Sequence, residues 1–266
     1  MKFKNDTELA SGNRFLKPFI GFFEEISRLT VFTFRFFKTA VKPPYEYNEL
    51  IKQCYSIGYK SFPLVAITGF IMGLVLTIQS RPTLAEFGAE SWLPAMVSVS
   101  MIREIGPVIT ALIFAGKAGS GIGAELASMK VTEQIDAMEV SGMNPFKYIV
   151  VTRIMAATIM LPILVVGADS ISLYGGYVGV NLKSDVSFHL FFSQVFDKLN
   201  FMDVFPAFIK TIFFGFAIGL IGCYKGYNSS KGTEGVGESA NYSVVYASLS
   251  VFIIDMMAVQ ITSLFM

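Results

Sequence analysis

Arg103 and Glu104 stand side by side halfway along Trp92–Gly116, a stretch whose other residues suit a lipid bilayer. An ionisable side chain at bilayer depth costs about 2.5–3.5 kcal/mol on insertion scales, so two in succession require a reason. Lys210 and Asp255 lie in later apolar stretches and supply opposite charges. Such a set suits three chemistries: engaging an anionic group such as a phosphate, relaying ions, or pinning helices together through buried ion pairs. Hydrolytic or metal chemistry has little support. His189 is the only histidine, and the two cysteines, Cys54 and Cys223, fall too far apart for a metal or disulfide spacing. The net charge of +1 gives no field for nucleic acid.

The elements that must position these residues are membrane spans. Of the 266 residues, 53% are hydrophobic and only 15% charged, against about 25% charged in soluble domains. A spanning helix needs about 20 mostly apolar residues. Five stretches qualify: 62–80, 92–116, one starting near Ile149 and reaching at least Ala168, 205–224 and 244–266. Apolar and small residues continue past the third through Tyr174–Gly179, so that span is either long and tilted or broken near Gly175. Lys and Arg crowd the segment before span one, the loop between spans two and three (Lys117, Lys130, Lys147, Arg153) and the loop after span four (Lys225, Lys231). The other loops hold Arg81, Lys183 and Lys198. This bias places the N-terminus in the cytoplasm and the C-terminus outside.

Residues 1–58 read as a cytoplasmic lead and an amphipathic helix in the headgroup plane. Phe15, Phe19, Phe22, Ile26 and Leu29 recur at helical spacing among Lys17, Glu24, Arg28 and Arg35, and Pro43-Pro44 ends the segment. Charges interrupt its apolar residues, and no cleavable signal peptide is expected. Residues 59–266 form the membrane domain. The fold class is an all-α integral membrane protein, one interfacial helix plus five transmembrane helices. The pairs Gly69/Gly73, Gly175/Gly179 and Gly215/Gly219 allow close helix approach, within a bundle or a dimer.

Between spans two and three, Gly119, Gly121 and Ala124 lack the preceding strand of a dinucleotide loop, and Gly116-Lys117 is followed by Ala118 rather than Ser or Thr. The chain is therefore expected not to hydrolyse ATP. Next comes a helix over about 132–141, with Thr132 as N-cap and Gly142 as stop. Val131, Ile135 and Met138 share one face; Glu133, Asp136 and Glu139 lie elsewhere. A helix this short is marginal alone, so the membrane surface or a partner must hold it.

The run Ala115–Ser120, Ala124-Glu125-Leu126, Met129–Met138, Gly142 and Asn144-Pro145 resembles the MlaE/YrbE family of ABC-transporter permeases. Arg103–Pro107, Arg153, Leu161-Pro162, Gly175-Gly176 and Asp255 fit the same pattern. The likeness covers roughly residue 62 to the C-terminus. It implies a homodimer whose helix between spans two and three receives a cytoplasmic ABC ATPase. It also implies a ring of MCE-domain proteins on the outer side, in some systems a STAS-domain subunit, and a lipid cargo, most commonly phospholipid. The chain would sit in the bacterial inner membrane and bind no cofactor, ATP and Mg²⁺ belonging to the ATPase. Lys117 stands where many relatives carry arginine, which keeps charge and loses the planar fork.

At 1.5 Å per residue Arg103 lies about 16 Å in from Trp92, near mid-membrane. Pro107 offers no N–H to the carbonyl of Arg103, so a kink is expected there. Arg103, Glu104, Lys210 and Asp255 form the candidate polar notch, with Met72 and Leu76 lining a tail path. Glu125, Lys130, Glu133, Gln134, Ile135, Asp136 and Met138 form the candidate ATPase-coupling set. Two rivals stand beside this reading: an ion-coupled carrier using the four charges as a relay, and a non-transporting anchor for a complex.

Overall fold

A computed structural model describes residues 16–230 and 232–264. It divides into two compact units, 1–45 and 46–266. The helix of span one begins at Tyr47, in the second unit. Within the first unit, α1 runs Leu16–Ala40. Its exposed apolar residues include Phe23, Ile26, Phe34 and Phe37, and Arg28 pairs with Glu24 one turn away. Phe15 and Lys231 lie outside the described residues.

Among the described residues, the second unit contains five helices long and apolar enough to cross a membrane: α2 (Tyr47–Glu86), α3 (Glu90–Val131), then α5 (Phe146–Asn181), α7 (Phe201–Tyr227) and α8 (Thr233–Ser263). Two short helices join them, α4 (Gln134–Val140) after α3 and α6 (Phe188–Lys198) after α5. Every span is longer than its apolar run, because helices extend past the lipid into flanking polar residues. The third span is the long version, unbroken through Gly175 to Asn181.

Helix α5 is the hub. Gly69 and Gly73 of α2 press on its backbone: a Cβ on Gly73 would lie 1.9 Å from the Ser172 carbonyl oxygen. Gly175 returns the contact, its missing Cβ falling 2.2 Å from the carbonyl of Phe70. On the other side, Gly215 and Gly219 of α7 abut Ala157 and Ile154 of α5. All three glycine pairs therefore serve helix packing within one chain. Lipid offers no hydrophobic drive between helices, so backbone-to-backbone proximity supplies the dispersion energy instead. Helix α8 is the most exposed of the spans. It lies against α7 and against the C-terminal end of α3, where Gly123 meets Ser239 and Ser243.

Basic side chains close two helix ends. The Lys130 ammonium donates to the carbonyls of Tyr227 and Ser229 at 3.1 and 3.0 Å, at the C-terminus of α7. Arg81 donates to the Val180 carbonyl near the end of α5 at 3.2 Å and pairs with Glu90. Each satisfies orphan carbonyls and opposes the negative end of a helix dipole.

Two local expectations are corrected. The connection between α5 and α7, read as a loop, holds a helix, α6, capped by the Ser187 hydroxyl. Its Phe191 and Val195 are buried with Leu93, Val97, Met101, Leu173 and Val180. Thr132 is not an N-cap. It ends α3, with its hydroxyl bonded back to the Ser128 carbonyl, and Glu133 in a left-handed conformation (φ 56°) turns the chain into α4. The shorter α4 then ends as expected. Gly142 at φ 79° lets Met143 N–H reach the Met138 carbonyl and Gly142 N–H the Glu139 carbonyl, a Schellman closure.

Gly73→Val is expected to lower the melting temperature of the detergent-purified chain markedly, consistent with a cost of at least about 1–3 kcal/mol for overpacking against backbone. Gly121→Ala, with open space at its Cβ, should leave it unchanged.

Candidate functional site

The site is built on a widened turn in α3. Residues Met101–Ile105 form one π-helical turn, and the Gly106 N–H reaches back five residues to the Met101 carbonyl. The expected disturbance at Pro107 thus takes the form of an expanded turn that accommodates the missing N–H. Such turns concentrate at functional sites. Here the turn carries both charged residues.

Each charge finds its partner on a different span. Arg103 Nε lies 3.1 Å from Asp203 Oδ1 at the start of α7. Asp203 also completes the capping box of that helix, accepting the Asn200 backbone N–H at 3.0 Å. Lys210, one side chain deep in α7, donates to Glu104 Oε2 at 2.6 Å and to Asp255 Oδ1 of α8 at 2.9 Å. Its side chain is 5% exposed, against 44% for Glu104 and 37% for Arg103. Three of the four residues singled out from the sequence, Glu104, Lys210 and Asp255, meet in one ion cluster, while Arg103 pairs with Asp203 instead. Lys210 is committed to two carboxylates, however, and cannot grip a phosphate unless one of them lets go.

Two acids of the same layer were missed. Asp203 was passed over because it sits at a helix start, where acids are ordinary. Asp169 stands within the apolar run of α5, and that position alone was the available signal. Its Oδ1 is buried and has no hydrogen-bond partner among the described residues. It fills the space of the absent side chain of Gly106, 1.8 Å from where a Cβ would stand. A cavity of about 10 Å³ adjoins it, bordered by Thr68, Met72 and Thr110.

Beside the ion cluster a much larger cavity, about 600 Å³, opens between α7 and α8. Phe205, Ile209, Phe213, Ile254, Met257 and Ile261 make it apolar. Met202, Pro206, Lys210, Ala258 and Thr262 line both this cavity and the cleft that exposes Arg103, Glu104 and Asp203. The result is a greasy chamber with a charged rim. Met72 and Leu76 do not border the chamber; they pack against the cluster around Leu93, Val97 and Leu173. Spans four and five supply the lining because they diverge there, a separation that no periodicity encodes.

At the C-terminal end of α3 and in α4, the coupling candidates split. Glu125 pairs with the buried Arg153 at 2.8 Å and Lys130 caps α7, so both are engaged within the bundle. Ile135 is buried and Met138 half-buried, both turned inward with Val131. Glu133, Gln134, Asp136 and Glu139 are exposed, and Val140 is 90% exposed.

Comparison with known proteins gives a consistent answer. The family model Permease MlaE matches residues 50–261. A probable ABC transporter permease protein of Rickettsia prowazekii is 39% identical over 237 residues, 89% of this chain and 92% of its own length. The intermembrane phospholipid transport system permease protein MlaE of Haemophilus influenzae is 36% identical over 208 residues, 77% and 79% of the two chains. A probable ABC transporter permease protein of Synechocystis is 35% identical over 203 residues, 76% of this chain and 77% of its own.

Lys210→Met leaves Glu104 and Asp255 facing each other without a cation. Removing one member of a buried ion cluster costs roughly 3–5 kcal/mol. The variant should give a low yield of monodisperse protein on size exclusion, and adding Glu104→Gln with Asp255→Asn should recover part of it.

Proposed function

This chain belongs to the MlaE permease family and is a permease subunit of an ABC transporter, and from that premise we propose that its cargo is phospholipid, moved between the inner membrane and the outer envelope. The observation that carries this reading is the apolar chamber between α7 and α8 joined to a charged cleft, which matches a molecule with acyl chains and an ionic head. The similarity to the intermembrane phospholipid transport system permease of Haemophilus influenzae supports it. Arg103, partly exposed at the rim, presents a guanidinium toward a phosphate. An ion-coupled carrier is set aside by membership of an ATPase-driven family.

The power source in this reading is a separate cytoplasmic ABC ATPase that docks on α4. An exposed acidic face beside a bare Val140, on a seven-residue helix too short to stand alone, supports that docking. Closing of the ATPase pair shifts α4 and biases the bundle between two states. The chain works as a homodimer with its N-terminus cytoplasmic and C-terminus outside. An MCE-domain ring above it, with a STAS-domain subunit on the ATPase in some systems, completes the assembly. Gathering these partners without moving lipid is the rival outcome.

Asp136→Lys is expected to leave the fold and bound lipid unchanged while lowering ATP-driven lipid transfer between vesicles on the order of tenfold, equivalent to about 1.4 kcal/mol of coupling. Undiminished transfer would remove α4 from the docking role. Arg103→Ala should reduce the phospholipid that co-purifies with the chain, measured by mass spectrometry. An unaltered lipid content would count against the cleft as a headgroup site.

A further inference from the structure

Taken together, the charges around the π turn do not balance. The ion cluster joins two cations, Arg103 and Lys210, to three carboxylates, Glu104, Asp203 and Asp255, of which Glu104 and Asp203 line the cleft and Asp255 lies behind Lys210. Asp169 lies behind the turn at Gly106, buried away from the cleft, and does not enter this count. Among the described residues at this level, acids exceed bases. At low dielectric an uncompensated charge is costly, and a surplus of one sign selects its counter-charge.

Accessibility sharpens the point. The cation with two acid partners, Lys210, is covered, whereas the Glu104 carboxylate beside it is nearly half exposed to the cleft. An incoming head therefore meets an acid at one side and the Arg103 guanidinium, already held by Asp203, at the other. A head carrying both signs fits such a pair. Its ammonium group would lie against Glu104 and its phosphate toward Arg103, with the acyl chains in the chamber lined by Phe205, Phe213 and Met257. A head with net negative charge would add to the existing surplus.

We propose that this permease selects zwitterionic, amine-bearing phospholipids over anionic ones, with Glu104 as the residue that sets the preference. The inference rests on the phospholipid reading above and adds the headgroup class. It differs from the expectation that the cleft is a basic phosphate trap, because in the Lys210–Glu104 pair the acid, not the cation, is the exposed member.

The test is competition. The full-length chain, purified and stripped of lipid by detergent exchange, is offered phosphatidylethanolamine and phosphatidylglycerol with identical acyl chains in equal amounts, and the retained lipid is quantified by mass spectrometry. The wild-type chain should retain the ethanolamine lipid several-fold over the glycerol lipid. Glu104→Gln, and separately Asp255→Asn, each remove one negative charge and should bring the ratio close to parity. Equal retention by the wild-type chain, or a preference for the anionic lipid, would overturn the inference while leaving the phospholipid reading standing. Retention of neither lipid would overturn both. Should one variant fail to fold, the wild-type ratio and the second variant still decide.

Discussion

A single ammonium group organises the interior of this permease. Lys210 reaches from span four to Glu104 of span two and Asp255 of span five, and lipid makes that arrangement compulsory. In water each of these groups would be solvated and their contacts worth little. In a bilayer, leaving any one alone is expensive, so the three helices are held at the one separation that lets the cation touch both acids. The Arg103–Asp203 pair repeats the logic one step further out and anchors the first turn of span four. The bundle is thus pinned by charge where the chamber opens and closed by glycine where it must be tight.

Those two devices act on opposite sides of span four. Toward α5, Gly215 and Gly219 bring backbones into contact. Toward α8, bulky residues such as Phe205, Ile209 and Phe213 line the apolar cavity. One helix therefore has a face of small residues that seals and a face of large residues that lines the cavity. The π turn in α3 belongs to the same scheme. It absorbs the missing N–H of Pro107 and, through Gly106, admits the Asp169 side chain from α5, so the turn bearing Arg103 and Glu104 is braced from behind.

Much of the architecture was legible in the residues. Five apolar runs gave five spans, because hydrocarbon demands satisfied backbones and only a helix supplies them within one segment. The positions of Arg103, Glu104, Lys210 and Asp255 within those runs announced that they needed partners. The α4 stop at Gly142 was readable because a left-handed closure calls for glycine. Helix α6 was hidden because its connection mixes Phe191 and Val195 with Ser193, Gln194 and Asp197, a pattern shared by polar loops. Thr132 misled because a threonine can cap the helix it follows as readily as the one it precedes, and only the Ser128 bond distinguishes the two.

Composition and order alone determined the solvent of this protein, the number of its spans, the charges that had to pair and the family to which it belongs. The fold decided which pairs form: Lys210 with two acids, Arg103 with Asp203, Asp169 with the hollow of Gly106, and Lys130 with the end of α7. It also moved the chamber from Met72 and Leu76 to the divergence of α7 and α8. Pairing within a helix follows from spacing along the chain. Pairing between helices depends on rotation and tilt, which are fixed by where glycines let backbones touch.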